Sequence, residues 1–249
     1  MIDKAEGLVL RTVVYGESNK IVTLLTREYG KLAVMARGAK KPGCRFNAAS
    51  QPFVRAVYIY PRSRGLGQLK SADVITSHAH IRQDVVLMAY AMYLLELADK
   101  ALDERVPQPA LYDLFVEGLE AMDEGLDPDV VSFIIELRLL RHLGIAPHLN
   151  GCTICGSAEA PFAFSLHHGG LLCRRHRHED EHAVYMSEAV AKMLYVFSVY
   201  DFSRIGTVTV KPETKRLLRQ IMDAYMERYS GLRLRSKRVL DQLIDFGND

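Results

Sequence analysis

The chain runs to 249 residues, 49% hydrophobic and 25% charged, an ordinary globular balance with length for one large core or two to three small ones. It shows neither an apolar run of spanning length nor a basic-then-apolar leader, which sets aside membrane and secreted classes and makes the cytoplasm the expected compartment. The formal net charge of +2 conceals a division. Residues 1–80 hold 13 Lys+Arg against 5 Asp+Glu, whereas residues 81–150 hold 5 against 13. A basic first segment beside an acidic one suits contact with a polyanion, the alternative being a basic surface that binds nothing.

Residues 1–80 read as β. The stretches 7–14 and 19–26 are rich in β-branched and aliphatic side chains, and Arg27-Glu-Tyr-Gly30 leads into 31–36 as a hairpin. Residues 53–60 alternate apolar with polar, and 68–76 complete the set. Five short strands in this length predict a small closed barrel, and the OB-fold is the common five-stranded barrel that binds single strands. Between the third and fourth strands lies a loop with Gly38, Pro42 and Gly43 as its breakers and Arg37, Lys40, Lys41 and Arg45 as its cations. Cations neutralise phosphates, so these four are the candidate DNA-binding residues, with Phe46, Tyr58 or Tyr60 available either to stack on bases or to fill the barrel core.

After about residue 80 the apolar period changes from two to 3.6. A long helix is expected over 84–103, a second from Pro107 or Pro109, and a third capped by Asp127-Pro128-Asp129 and ending at Gly144. Further helices are expected from Ser187 to about Tyr200, from Pro212 to about Tyr229, and from Ser236 to Phe246.

Inside this helical run lie two hooks, Cys152-Thr-Ile-Cys155 and Cys173-Arg-Arg-His176. Each puts two ligands on one tight turn, and two hooks facing each other supply the four N/S ligands of a structural zinc site. Gly156 follows the first hook, where such a turn often needs positive φ. Four protein ligands leave no open position, so the metal would be architectural. His178 and His182 compete for the fourth place or could hold a second metal. His176 is preferred because it completes a hook, and a solvated charged loop is the plainer reading of the rest. The predicted fold is therefore α+β multidomain: an N-terminal five-stranded OB-fold barrel over 1–80, then a helical bundle over 81–249 with a zinc-ribbon knuckle inserted at about 150–180.

Over nearly its whole length the chain resembles the bacterial recombination mediator RecO family. The matching stretches are Tyr15-Gly-Glu-Ser-Asn-Lys-Ile-Val-Thr-Leu-Leu-Thr-Arg-Glu-Tyr-Gly30, Arg37-Gly-Ala-Lys40 and Gln51-Pro-Phe53. They continue with Glu136-Leu-Arg-Leu-Leu-Arg-His-Leu-Gly144, Pro147, the first cysteine hook, and Leu234-Arg-Ser-Lys-Arg-Val-Leu-Asp-Gln-Leu243. The resemblance implies binding to single- and double-stranded DNA and annealing of complementary strands. It also implies cooperation with RecR in loading recombinase onto strands coated by single-strand binding protein. One departure is that many members carry cysteine where this chain has His176; a Cys3His set binds zinc well. Arg138 and Arg141 share a helix face and would grip the acidic tail of single-strand binding protein, unless they only pair with acidic residues nearby.

No nucleotide loop of the G-x-x-x-x-G-K-[ST] form, no H-E-x-x-H helix and no deaminase signature occurs, so neither ATP nor catalysis is implied. The expected function is a DNA-binding recombination mediator. The competing classes are a zinc-ribbon enzyme and a duplex-reading transcription regulator, separable by cleavage with magnesium and by affinity for defined duplexes over random single strands.

Overall fold

Fourteen residues, Ile2–Tyr15, form one strand (β1) long enough to serve two neighbours. The structure is a computed structural model, described over residues 2–61, 65–199, 201–205 and 208–246. The early part of β1 pairs antiparallel with β4 (Arg55–Pro61), from Ile2↔Pro61 to Leu8↔Arg55. Its later part pairs with β2 (Asn19–Thr26), from Gly7↔Thr26 to Tyr15↔Asn19, with a register shift between Val9 and Arg11. Strand β3 (Gly30–Ala36) extends the sheet beyond β2.

The expected fifth strand is two. Residues Gly67–Gln68 (β5) run parallel to β3, and Ser71–Thr76 (β6) run antiparallel to β4, giving the order β5-β3-β2-β1-β4-β6. Successive N–H groups of an extended chain point to opposite edges, and here that switches partners. The Leu69 N–H donates to Met35 of β3 at 2.9 Å, and the Lys70 N–H donates to Ile59 of β4 at 2.8 Å. The sheet thus curls until its two outer strands are successive stretches of one segment. Inside lie Val9, Val22, Leu24, Val34, Ala56 and Tyr58. The basic loop carries a short helix, α1 (Phe46–Ala49), that the glycine and proline pattern does not predict.

The chain divides into two compact units, Met1–Gly125 with Leu234–Asp249, and Leu126–Arg233. In the first, the curled sheet is joined by α2 (Ala79–Gln83), α3 (Val85–Ala101), α4 (Pro109–Asp123) and, at the end of the chain, α9 (Arg235–Phe246). Asp84 caps α3, accepting from the N–H groups of Val86 at 2.7 Å and Leu87 at 3.0 Å. Acidic α3 and α4 meet the basic sheet through ion pairs: Arg11–Asp99 at 2.8 Å, Arg27–Asp113 at 2.9 Å, Lys31–Asp99 at 3.5 Å, and Arg55 with both Glu6 and Glu120.

The second unit is built on α5 (Pro128–His142), with Pro128 in its first turn and Asp127 capping it by accepting from Asp129 N–H at 3.0 Å. Val130, Ile134, Leu137 and Leu140 are buried, each contributing about 1.5–3 kcal/mol relative to exposure. Helices α6 (Glu188–Val199) and α8 (Pro212–Ser230) pack on α5, and α7 (Phe202–Ile205) lies between them in sequence. Tyr200, the expected end of α6, lies outside the described residues. Lys215 and Arg219 of α8 ion-pair with Asp127 and Asp129 at the start of α5. Three short strands, β7 (Phe162–Ser165), β8 (Gly170–Cys173) and β9 (Val184–Met186), form a separate sheet in the order β8-β7-β9.

Candidate metal centre and nucleic-acid interface

The first cysteine hook precedes β7, and the second begins at the last residue of β8 and turns back on itself. Gly156 takes φ of 72° and donates to the Cys152 carbonyl at 2.8 Å, closing the first turn as a knuckle requires. The His176 N–H donates to the Cys173 carbonyl at 3.0 Å, closing the second. The four ligand atoms of Cys152, Cys155, Cys173 and His176 lie within 4.8 Å of one another. The Cys155 and Cys173 sulfurs are 3.8 Å apart, and His176 Nδ1 stands 3.5 Å from Cys173 Sγ and 3.6 Å from Cys152 Sγ.

Those spacings test what the group can hold. Zinc at about 2.3 Å from sulfur and 2.0–2.1 Å from nitrogen sets tetrahedral edges of roughly 3.8 Å between sulfurs and 3.6 Å from sulfur to nitrogen. The donor set fits. Burial pushes the Cys152 thiol up, but backbone hydrogen bonds from Cys173, Cys155 and Ile154 outweigh it and bring it down to about 6. Burial likewise raises Cys173, while the Arg175 N–H and His176 bring it below its ordinary value. Cys155 gains a lowering bond from Ser157, but burial and its sulfur neighbours leave it raised; His176 is raised by Cys173 and then Cys152. The Cys152 and Cys173 sulfurs are thus held toward the thiolate, the form in which sulfur ligates a metal ion. Among the described residues, no other group of three or more potential ligands gathers; His178 instead faces Glu179 at 3.5 Å.

This knuckle rests on α8 through tyrosine. Tyr225 donates to the Ile145 carbonyl at 3.0 Å and meets Phe164 edge-on at 5.8 Å, while Tyr229 donates to the Leu166 carbonyl at 2.5 Å.

Cations of the sheet and cations of the loop differ in their partners. Arg11, Arg27, Lys31 and Arg55 are held by the carboxylates of β1, α3 and α4. Arg37, Lys40, Lys41 and Arg45 are all exposed, and among the described residues no carboxylate pairs with them. Arg45 is partly engaged, donating to the Lys70 carbonyl at 2.8 Å with its guanidinium 4.7 Å from the Phe46 ring centre. The candidate stacking residues need correction. Phe46, Tyr58 and Tyr60 are all buried; Tyr58 donates to the Ala49 carbonyl at 2.8 Å and fills the interior, so none presents a face to a base. On α5, Arg138 already pairs with Asp201 at 2.9 Å, whereas Arg141 is exposed.

Two family models match the chain. Recombination protein O N terminal covers residues 1–78, and Recombination protein O C terminal covers residues 82–238. The chain belongs to the RecO family. It is 90% identical over 249 residues to the DNA repair protein RecO of Exiguobacterium sibiricum, covering 100% of both chains. The RecO of Exiguobacterium sp. strain AT1b is 54% identical, over 98% of this chain and 97% of that one. The RecO of Bacillus subtilis is 46% identical, over 98% of this chain and 95% of that one. The N-terminal RecO match spans the curled sheet with its cationic loop, and the C-terminal match takes in α5 and the knuckle. Among the described residues, no helix is long and apolar enough to cross a membrane. Within this RecO chain, sequence reasoning passed over the exposed aromatic beside the cationic loop, Tyr15. The signal available was its place at the end of a strand before a Gly-containing turn.

Proposed function

We propose that this chain is a DNA-binding recombination mediator that holds single- and double-stranded DNA and anneals complementary strands. In this reading the curled sheet of residues 1–80 is an OB-fold barrel, and residues 81–249 form the helical part with a structural zinc ribbon on Cys152, Cys155, Cys173 and His176. The observation that carries it is the set of four exposed cations, Arg37, Lys40, Lys41 and Arg45, which have no carboxylate partner among the described residues, whereas Arg11, Arg27, Lys31 and Arg55 of the same unit are paired. Complementary strands repel at contact. A surface that neutralises phosphates and holds both lowers that barrier and raises their local concentration, with no bond made or broken. The zinc, when bound, supplies rigidity to the knuckle and takes no part in chemistry.

Membership of a DNA repair family supports the wider setting: action in the cytoplasm, associated with the nucleoid, beside RecR, loading recombinase onto strands coated by single-strand binding protein. The acidic tail of that protein would dock on the helical part with Arg141 as its main cation, since Arg138 is already paired with Asp201. The test is a titration of single-strand DNA at several salt concentrations. Log affinity should fall linearly with log salt, and alanine at all four loop cations should flatten the slope. If that variant binds like the parent at every salt concentration, the loop is not the contact surface.

A further inference from the structure

The tip of the β1–β2 hairpin is tied to the cationic loop by hydrogen bonds. The Lys40 N–H donates to the Ser18 carbonyl at 3.0 Å, and the Gly38 N–H donates to the Asn19 side-chain oxygen at 3.0 Å. Asn19 is the residue opposite Tyr15 across the ladder. Tyr15 is therefore fixed in one assembly with Arg37, Lys40 and Lys41, and it is 52% exposed. Alternate residues of a strand share a face, so Val13 (47% exposed) lies on the same side as Tyr15. Val13 is level with Ile21 and Met35 across β2 and β3, a cross-strand apolar row two residues along β1 from Tyr15.

An aromatic ring in water gains when another flat apolar surface covers it, and every unpaired base offers one. Other tyrosines are exposed, but their settings differ. Tyr185 already has the Arg177 guanidinium 5.3 Å from its ring centre. At the hairpin tip, cations for the phosphates and a ring for the base occur together. Glu17, exposed two residues after Tyr15, repels phosphate, so the tip itself favours a base over the backbone. Inside a duplex each base face is already covered by its neighbours, so away from the ends the ring serves unpaired strands.

We propose that Tyr15 is the base-stacking residue of this site and gives the loop its preference for single-stranded over double-stranded nucleic acid. The proposal rests on the reading of the loop as the phosphate-binding element, and the test separates the two. The full-length chain, its Tyr15→Ala and Tyr15→Phe variants, and the four-alanine loop variant are titrated with an oligothymidine and with a blunt duplex across a salt series. Tyr15→Ala should weaken oligothymidine binding on the order of 10-fold at every salt concentration with the slope unchanged. Duplex affinity should stay within about twofold, and Tyr15→Phe should behave as the parent. If Tyr15→Ala matches the parent on oligothymidine while the loop variant loses affinity, the stacking role falls and the loop reading stands. Equal losses by Tyr15→Ala on both ligands, with a changed slope, would also overturn stacking. If the loop variant is unchanged as well, the loop reading fails and takes the proposal with it.

Discussion

The curled sheet of the first unit surrounds a continuous interior of Val9, Val22, Leu24, Val34, Ala56 and Tyr58, while the knuckle of the second unit has strands of only three or four residues around Phe162, Phe164 and Leu172. Sheets that small are marginal alone. The difference shows where each region draws its stability. The large sheet curls around its own interior, so its order follows from burial and ladder hydrogen bonds. The knuckle has two further supports, the tyrosines of α8 and a Cys3His group that could hold a metal ion. With different sources of stability, the two regions should fail independently.

The sharpest way to break that independence is Cys155→Ser. Removing one ligand should abolish stoichiometric zinc, with structural zinc contributing an apparent 10–16 kcal/mol in isolated fingers and less in a knuckle that α8 also supports. Elemental analysis should fall from about one equivalent of zinc to near zero. Limited proteolysis should open residues 150–186 while the sheet keeps its protection. Less than half an equivalent of zinc in freshly purified parent protein would remove the metal from the account. Loss of protection in the sheet as well would show that the two regions are not independent.

The converse break is Gly30→Ala. Gly30 sits at φ of +69° in the β2–β3 turn, and a Cβ there would stand 2.2 Å from the backbone carbonyl oxygen of Val106. That neighbour has little freedom to move, because the adjacent Arg105 N–H donates to the Lys31 carbonyl at 2.8 Å. Positive φ and a backbone overlap together should cost about 3 kcal/mol or more. Thermal unfolding should show the sheet lost at lower temperature, while zinc content stays at the parent value. A variant as stable as the parent would mean that the 104–107 segment is not seated against this turn.

What was legible in the sequence follows the same division. The hooks at Cys152–Cys155 and Cys173–His176 could be placed because ligand spacing is local, and helix starts at Asp84, Asp127 and Pro212, with Pro109 as one of two candidate prolines, because caps and first-turn prolines are local too. Long-range features escaped. The break of the last strand at Leu69–Lys70 depends on partners more than thirty residues away in β3 and about ten away in β4. Phe53 and His78 both adopt positive φ, joined by a 2.7 Å bond from His78 Nδ1 to the Phe53 carbonyl, and neither residue type announces that conformation. Period-two alternation places Tyr58 and Tyr60 on a strand but does not say which face is inside, so ring-bearing positions could not be sorted into core and surface. Nor does counting charge reveal that Arg11, Arg27, Lys31 and Arg55 are held by carboxylates while, among the described residues, the loop cations are not.

The smallest effect concerns how the end of the chain joins the first unit. Helix α9 packs along α3, and its start is held from outside: Glu96 accepts from the Ser236 N–H at 2.7 Å and from the Ser236 hydroxyl at 2.5 Å. Burial pushes the Glu96 carboxyl up, but the Ser236 hydroxyl and the N–H groups of Ser236 and Arg235 outweigh it and leave it below the ordinary value. A group depressed in the folded state stabilises above its unfolded pKa, and that contribution disappears as pH falls through the folded one. Glu96→Gln keeps an acceptor oxygen and loses the charge at a helix N-terminus, so near neutral pH it should cost about 0.3–1 kcal/mol. Half-exposure puts the expected value toward the lower end. The gap in unfolding temperature between parent and variant should be widest near neutrality and close as pH falls to about 3, below the ordinary glutamate range. A gap that stays constant across that range would assign the loss to altered packing and remove charge from the cap.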